Sequence, residues 1–311
     1  MKVYVPKYQA GAGRAIYRGY ANAWKSLGYD VQEYNRLSDI NPIGDYYLMT
    51  VDSEITYLTL DKVLDAKKSF VFVQPNTFPK HWGSHPNFIT NCEISIRKIL
   101  AKTDSYLWTF TNTKYSKEYF NDWAGIGISI IPKYVPLAFD NFHYTPQVDL
   151  ENEYDVCFVG GLANNGFNEK YKIMMDYLKP LMDKKFSCLY VNSNISDNYE
   201  IKLLTNCKVA INLHDAYQQE LGLDTNERTF KSLGLNGTLV SDHVEELTRL
   251  FNIKGAKNPI DFYNQVQDLL NNPDLEKIKE QNRKMILSNH TYVNRINLFL
   301  SNEDFNNSSM L

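Results

Sequence analysis

Residues 226–242 read NERTFKSLGLNGTLVSD, and this stretch decides the fold. Phe230, Leu233 and Gly234 fall at the spacing that lays one face of a helix on a core. Thr225 or Asn226 is placed to cap that helix, and Glu227 occupies its first turn, where a carboxylate complements the dipole. Asn236-Gly237 is a turn signal, and Thr238-Leu239-Val240 reads as a short buried strand ending at Ser241-Asp242. The unit is therefore helix, tight turn, strand. Arg228 and Lys231 lie three residues apart and face the same side. Two cations beside free helix N–H groups suit a diphosphate, although such a pair is also what a solvated outer helix face looks like.

A chain of 311 residues, 43% of them hydrophobic, is long enough for two ordinary cores. Its net charge of −3 favours neither nucleic acid nor membrane. Residues 1–150 hold 16 Lys+Arg and 14 Asp+Glu, and the remainder 17 and 22, an asymmetry that tolerates a polyanion on the first half without demanding one. Cys92, Cys157, Cys188 and Cys207 are scattered, which argues against a zinc site and a disulfide framework and for a reducing compartment. With no signal-peptide core and no apolar run of about 18 residues, the expectation is a soluble, cytoplasmic protein with no membrane span.

Along the chain, strands and helices alternate. Val3–Val5 opens as a buried strand, followed by a loop over 7–13 and a helix over 14–27. Strands are expected at 46–50, ending at Asp52, at 69–73, at 105–110 and at 126–131. Helices are expected at 58–67, 94–101 and 116–123. In open parallel sheets ligands sit at the carboxyl ends of strands, which directs attention to Asp52 and to the loop QPNTFPKHWGSHP over 74–86. That loop gathers Lys80, His81, Trp82 and His85; it reads either as a lid packed by Trp82 or as an acceptor-binding loop with a general base. Residues 132–149 are Pro-punctuated and linker-like. The pattern restarts with a strand at 154–159, the glycines Gly160-Gly161, and a helix over 169–181. Those glycines allow close approach to a phosphate. Strands at 188–191 and 209–213 follow, separated by a helix at 201–205, and His214 stands at the tip of the last strand. Helices at 247–251, 259–270 and 274–287 complete the second half. No internal repeat and no low-complexity block interrupts this order.

Asn226-Glu227-Arg228-Thr229-Phe230 with Asn236-Gly237 and Ser241-Asp242 resembles the donor-binding segment of CgeB/YkvP-type glycosyltransferases. That family belongs to the GT-B enzymes and is distantly like the phage DNA hydroxymethylcytosine glucosyltransferases. Residues 134–146, the run Asp155–Gly161 and His290-Thr291-Tyr292 with Arg295 resemble further segments of the same family. The resemblance implies an α/β GT-B fold, two Rossmann-like domains facing across a cleft. The expected division is 1–135, 150–285, and a tail over 286–311 whose helix crosses back to the first domain. It implies transfer of a sugar from a nucleotide-diphosphate sugar to an acceptor hydroxyl, with no cofactor or metal required. Gly160, Gly161, His214, Asn226, Glu227, Arg228 and Lys231 become donor-side candidates, and Lys231 stands where the family has a ribose-binding Glu. Gln9, Arg14, Lys80 and Trp82 become acceptor-side candidates. Asp52, His81 and His85 are the candidate bases. A His base implies an activity limb near pH 6–7, an Asp base one well below it. The acceptor is open among a glycan, a small molecule, a protein and hydroxymethylpyrimidine in phage DNA. A non-catalytic surface-layer protein that binds glycans or sugar nucleotides is the rival reading.

Overall fold

A computed structural model of the chain describes residues 1–73, 105–113, 132–148, 154–161, 169–182, 186–191 and 195–308. The loop over 74–86, with Lys80, His81, Trp82 and His85, lies outside the described residues, as do the helices expected at 94–101 and 116–123 and the strand at 126–131. The chain divides into two compact units, one of Met1–Pro136 with Tyr292–Leu311, the other of Leu137–Thr291.

The first unit is built on β1 (Lys2–Pro6), β2 (Asp30–Tyr34), β3 (Tyr46–Val51), β4 (Lys68–Phe72), β5 (Ser105–Thr109) and β6 (Lys133–Tyr134). They form one parallel sheet in the order β2-β1-β3-β4-β5-β6. Strand β1 runs into helix α1 (Gly11–Ser26) and on to β2 at one edge. Strand β3 leads through the short α2 (Leu60–Leu64) to β4 on the other side. The winding direction therefore reverses between β1 and β3, and the loops leaving those two strands diverge and open a crevice. Helix α1 starts three residues earlier than expected, so Gly11-Ala12-Gly13 forms its first turn and not a loop. One face of α1 buries Tyr20 and Trp24. The Tyr20 ring meets those of Tyr292 and Phe299, on the helix Tyr292–Ser301 near the chain's end. Arg295 of that helix is fully buried; its Nε donates to the Pro136 carbonyl (3.0 Å) and its guanidinium lies over Phe305.

The second unit repeats the plan with β7 (Tyr154–Val159), β8 (Cys188–Val191), β9 (Cys207–Asn212) and β10 (Val240–Ser241), parallel in the order β10-β9-β7-β8. Its reversal lies between β7 and β9. Helix α3 (Lys170–Met182) joins β7 to β8. Helix α4 (Asp197–Asn206) is longer than its apolar residues suggest, because Ser196 caps it, Oγ accepting from the Tyr199 N–H. The short α5 (Ala216–Leu221) was not anticipated. It carries little apolar periodicity and rests on local polar bonds, Gln218 Oε1 accepting from the Asp215 N–H. Helix α6 (Glu227–Leu235) is the organising helix, capped by Asn226, whose Oδ1 accepts from the Thr229 N–H. It feeds β10 through the expected Asn-Gly turn, and α7 (Glu245–Phe251), α8 (Pro259–Leu270) and α9 (Leu275–Asn289) follow. The core between sheet and helices includes Val156, Phe158, Val209, Ile211, Phe262 and Val266.

Gly237 holds the turn in the left-handed region (φ 86°), and a Cβ there would overlap the Lys279 backbone of α9. Gly237→Ala is therefore expected to cost about 2 kcal/mol or more, combining a strained φ with displaced packing. Gly161→Ala, where a Cβ meets open space, is expected to be near neutral. Thermal or urea unfolding of the two variants checks the contrast.

Candidate functional site

The polar residues of the second unit converge where its sheet reverses, at the carboxyl ends of β7 and β9. Strand β7 ends in Phe158-Val159, and a Cβ at the Gly160 that follows would overlap the Arg228 guanidinium. Only glycine leaves room for that side chain to lie flat on the strand end. Arg228 Cζ stands 4.5 Å from the centroid of the Phe158 ring, a cation–π contact. Its Nη1 donates to Asn212 Oδ1 (2.7 Å) and more weakly to the Leu213 carbonyl (3.4 Å), both at the end of β9. Arg228 is thus buried, not on a solvated face as helical periodicity implies. Burial lowers its proton affinity, and Glu227, Asp215, Glu200 and Asp242 pull it only partly back up.

A second cation sits beside it. Lys170, the first residue of α3, is only 5% exposed and donates to the same Leu213 carbonyl that Arg228 reaches, with Asp215 Oδ1 3.5 Å away. Burial and then the charge of Arg228 push Lys170 down to about 8, with Asp215 and Asp242 pulling the other way. Sequence reasoning missed this residue. In NEKYK the lysine looks like one charge among several on a wet helix start, and only its position just after the Gly160-Gly161 loop hinted at more.

The other donor-side candidates divide. Lys231 does not share the Arg228 site. Its Nζ is held by Glu200 Oε1 (2.6 Å) and Glu227 Oε1 (3.2 Å), with the Tyr144 ring 5.6 Å away. Burial alone would lower it, but Glu227, Tyr144 and Glu200 outweigh burial and raise it. Glu227 is held below the usual carboxylate range, since Lys231 and Arg228 outweigh its burial. His214 has no exposed surface: its Nδ1 lies 2.7 Å from Asp242 Oδ1 and its Nε2 2.8 Å from Thr225 Oγ1. Asn226 is bonded to Asn212 through both amide groups. The Gly160 N–H is donated to the Val191 carbonyl, so that glycine contributes space for Arg228 and no hydrogen bond to a ligand.

In the first unit, Asp52 opens a single 3₁₀ turn directly after β3, and Tyr8 and Gln9 follow β1, the adjacent strand at that sheet's own reversal. Asp52 Oδ1 accepts from the Ser53 N–H (2.8 Å), while Oδ2 is buried without a partner among the described residues. Burial pushes its carboxyl up to about 7, with the N–H groups of Ser53 and of Asp52 itself pulling it partly back. The expected pH contrast between an Asp and a His base therefore disappears at this position. Tyr8 OH donates to Glu54 Oε1 (3.2 Å) beside it. Gln9 and Arg14 are exposed. Among the described residues no group of His, Cys, Asp and Glu is arranged to hold a metal, and no helix is long and apolar enough to cross a membrane.

Residues 179–301 match a family model described as glycosyl transferase-like. No curated protein sequence matches the chain. Among solved structures, the T4 phage β-glucosyltransferase with its UDP-glucose substrate is similar at TM-score 0.58 and 10% identity, covering 97% of this chain and 98% of that one. Another crystal of the T4 enzyme holds UDP with Mn2+. An α-glucosyltransferase in complex with UDP and a 13-mer DNA containing a hydroxymethyluracil (HMU) base matches at TM-score 0.59, 10% identity, and 96% and 98% coverage. The trehalose-6-phosphate protein of E. coli, bound with UDP-2-fluoro glucose, matches at 0.54, 9% identity, and 97% and 98% coverage. The fold is that of the GT-B glycosyltransferases, with two Rossmann-like domains, and the chain carries a glycosyltransferase domain over 179–301.

Proposed function

We propose that the protein transfers a sugar from a nucleotide-diphosphate sugar to an acceptor hydroxyl, with Arg228 and Lys170 binding the diphosphate. The observation that carries this reading is the pair of buried cations meeting at the Leu213 carbonyl, at the sheet reversal. Two like charges side by side in a desolvated site are costly, and an anion between them removes the cost. Diphosphate leaving from the sugar carbon gathers negative charge, so cations aimed there lower the barrier as well as binding the donor. Lys231, already neutralised by two carboxylates, takes no part in this role, and His214 and Asn226 act from behind the site.

For the acceptor, Asp52 is our choice of general base. It needs the deprotonated form, and its Oδ2, buried and without a partner among the described residues, is suited to accept a hydroxyl proton. His81 and His85 remain the alternatives in the first unit. The spaced matches from Asn226 to Asp242 and at His290–Arg295 support a CgeB-like assignment within this class. A second reading takes hydroxymethylpyrimidine in DNA as the acceptor. The α-glucosyltransferase whose structure holds DNA with an HMU base, and the slightly basic balance of residues 1–150, both favour it. The test is incubation of the purified protein with UDP-glucose and other nucleotide sugars, with and without Mn2+, against hydroxymethylated DNA and glycan acceptors. A protein that only binds will neither transfer nor hydrolyse any donor.

Arg228→Ala is expected to weaken UDP binding by about 1.5–3 kcal/mol, the worth of a charge-assisted contact, with no large loss of melting temperature. Lys231→Met is expected to do the reverse, destabilising the fold by about 3 kcal/mol because the buried Glu200 and the half-buried Glu227 are left without their cation. Calorimetric titration and thermal melting of both variants separate the two roles.

The pH dependence of donor binding follows from Lys170. Its folded value in the free protein is about 8, lowered by burial and Arg228, so the charged form is lost as pH rises through that value. A bound diphosphate favours the charged form. UDP affinity is therefore expected to fall above about pH 8, with one proton taken up per UDP bound, and Lys170→Met is expected to abolish that limb.

Asp52→Asn is expected to retain UDP affinity and to lose transfer by about 100-fold or more, in the range of general-base catalysis. The parental enzyme should show an acid limb near pH 7, since burial raises the carboxyl and the working carboxylate is lost as pH falls through that value. A pH–rate profile of wild type and variant checks both.

A further inference from the structure

The Arg228 side chain is aimed by a polar chain that reaches away from the ligand site into the interior of the second unit. Asn212, Thr229, His214, Ser241 and Asp242 all have no exposed surface. Asp242 Oδ1 faces His214 Nδ1 at 2.7 Å, and a carboxylate accepts only, so Nδ1 carries the proton. Asp242 is firmly anionic. The second oxygen of Asp242 accepts from the His214 N–H (2.8 Å) and from Gln219 Nε2, so the carboxylate is fixed from several sides.

With Nδ1 committed, His214 Nε2 is the ring's acceptor. It faces Thr225 Oγ1 at 2.8 Å and Asn212 Nδ2 at 3.3 Å. Asn212 Nδ2 also donates to Thr229 Oγ1 (3.0 Å) and Asn226 Oδ1 (3.1 Å). Those acceptors settle which way the Asn212 amide points. Its Oδ1 is turned toward Arg228 Nη1, 2.7 Å away. The reversed amide would set an NH₂ group against a guanidinium, donor against donor, and would face the His214 acceptor with an oxygen.

We infer that Asn212 is the positioning residue of Arg228, and that the buried His214–Asp242 pair sets the Asn212 amide so that the guanidinium stays over Phe158 and Gly160. This rests on the reading of Arg228 as a diphosphate ligand. Neither Asn212 nor His214 touches the donor; they act through Arg228 by holding one rotamer of a long side chain that otherwise has many.

The experiment is a mutant cycle on pyrophosphate and UDP binding, measured by calorimetry at fixed pH and salt on the full chain. Each variant's melting temperature is recorded alongside. Asn212→Ala is expected to weaken pyrophosphate about tenfold. In the Arg228→Ala background it should weaken it no further, whereas in the Lys170→Ala background the full tenfold loss should persist. A purely structural role for Asn212 would lower the melting temperature and weaken both backgrounds equally. His214→Leu should reproduce the loss, and His214→Gln, which keeps an acceptor near the Nε2 position, should restore part of it. Should Asn212→Ala fail to fold, the two His214 variants carry the test. Unchanged pyrophosphate affinity in Asn212→Ala or His214→Leu, or losses that add to that of Arg228→Ala, would overturn the inference. If Arg228→Ala itself binds pyrophosphate and UDP as tightly as wild type, the donor-site reading fails instead.

Discussion

The candidate site of the second unit is arranged around a guanidinium that has been taken out of water. A buried Arg is tolerated only where its charge and its donors are met, and here the backbone had to be cleared for it. Gly160 supplies the clearance, Phe158 the π face, and Asn212 with the Leu213 carbonyl the acceptors. Glu227, Asp215, Glu200 and Asp242 supply the compensating field. Residues from β7, β9, α6 and the loops between them are thus tied to one side chain. A change in any of them is felt at the candidate site.

Topology explains why those elements meet. In a parallel sheet the direction of winding must reverse somewhere, and at the reversal the loops leaving neighbouring strands part. The second unit reverses between β7 and β9, and Gly160 and Asn212 stand at the ends of those two strands. The first unit reverses between β1 and β3, and Tyr8 and Asp52 stand at the ends of those. Of these four residues the sequence had singled out Gly160 and Asp52, the latter by this same rule; Asn212 and Tyr8 emerge only from the topology.

Much of this was legible because it is local. The Asn226 cap, the first-turn Glu227 and the Asn-Gly turn depend on neighbours in sequence, and α6 and β10 begin within two residues of where those signals place them. The alternation of strands and helices was legible for the same reason. What was not legible is what stands across from a side chain. Periodicity put Arg228 and Lys231 together on an outer face, but α6 is buried from Arg228 to Leu235, so it has no wet face along that span. Lys170 was invisible because its significance comes from Arg228, 58 positions later. His214 was read as a ligand because a strand tip is the right address; the sequence offers no sign that Asp242 would claim its ring.

The contrast between the two cations of α6 shows what decides such assignments. Both are buried to the same degree, both descend from the same helix, and both have Glu227 nearby. Across from Lys231 stand Glu200 and Glu227, two carboxylates for one ammonium, and the group is held charged by its own protein. Hydrogen-bonded to Arg228 are an amide and a carbonyl, with a second cation beside it, while Glu227, Asp215, Glu200 and Asp242 offset its charge only in part. A charge neutralised at short range has little left to offer a ligand; one that is only oriented keeps its field. The chemistry of the site therefore lies less in which residues are cationic than in which of them the fold leaves uncancelled. That criterion is why Arg228, with Lys170 of α3 as its companion, is the cation of α6 proposed for the diphosphate.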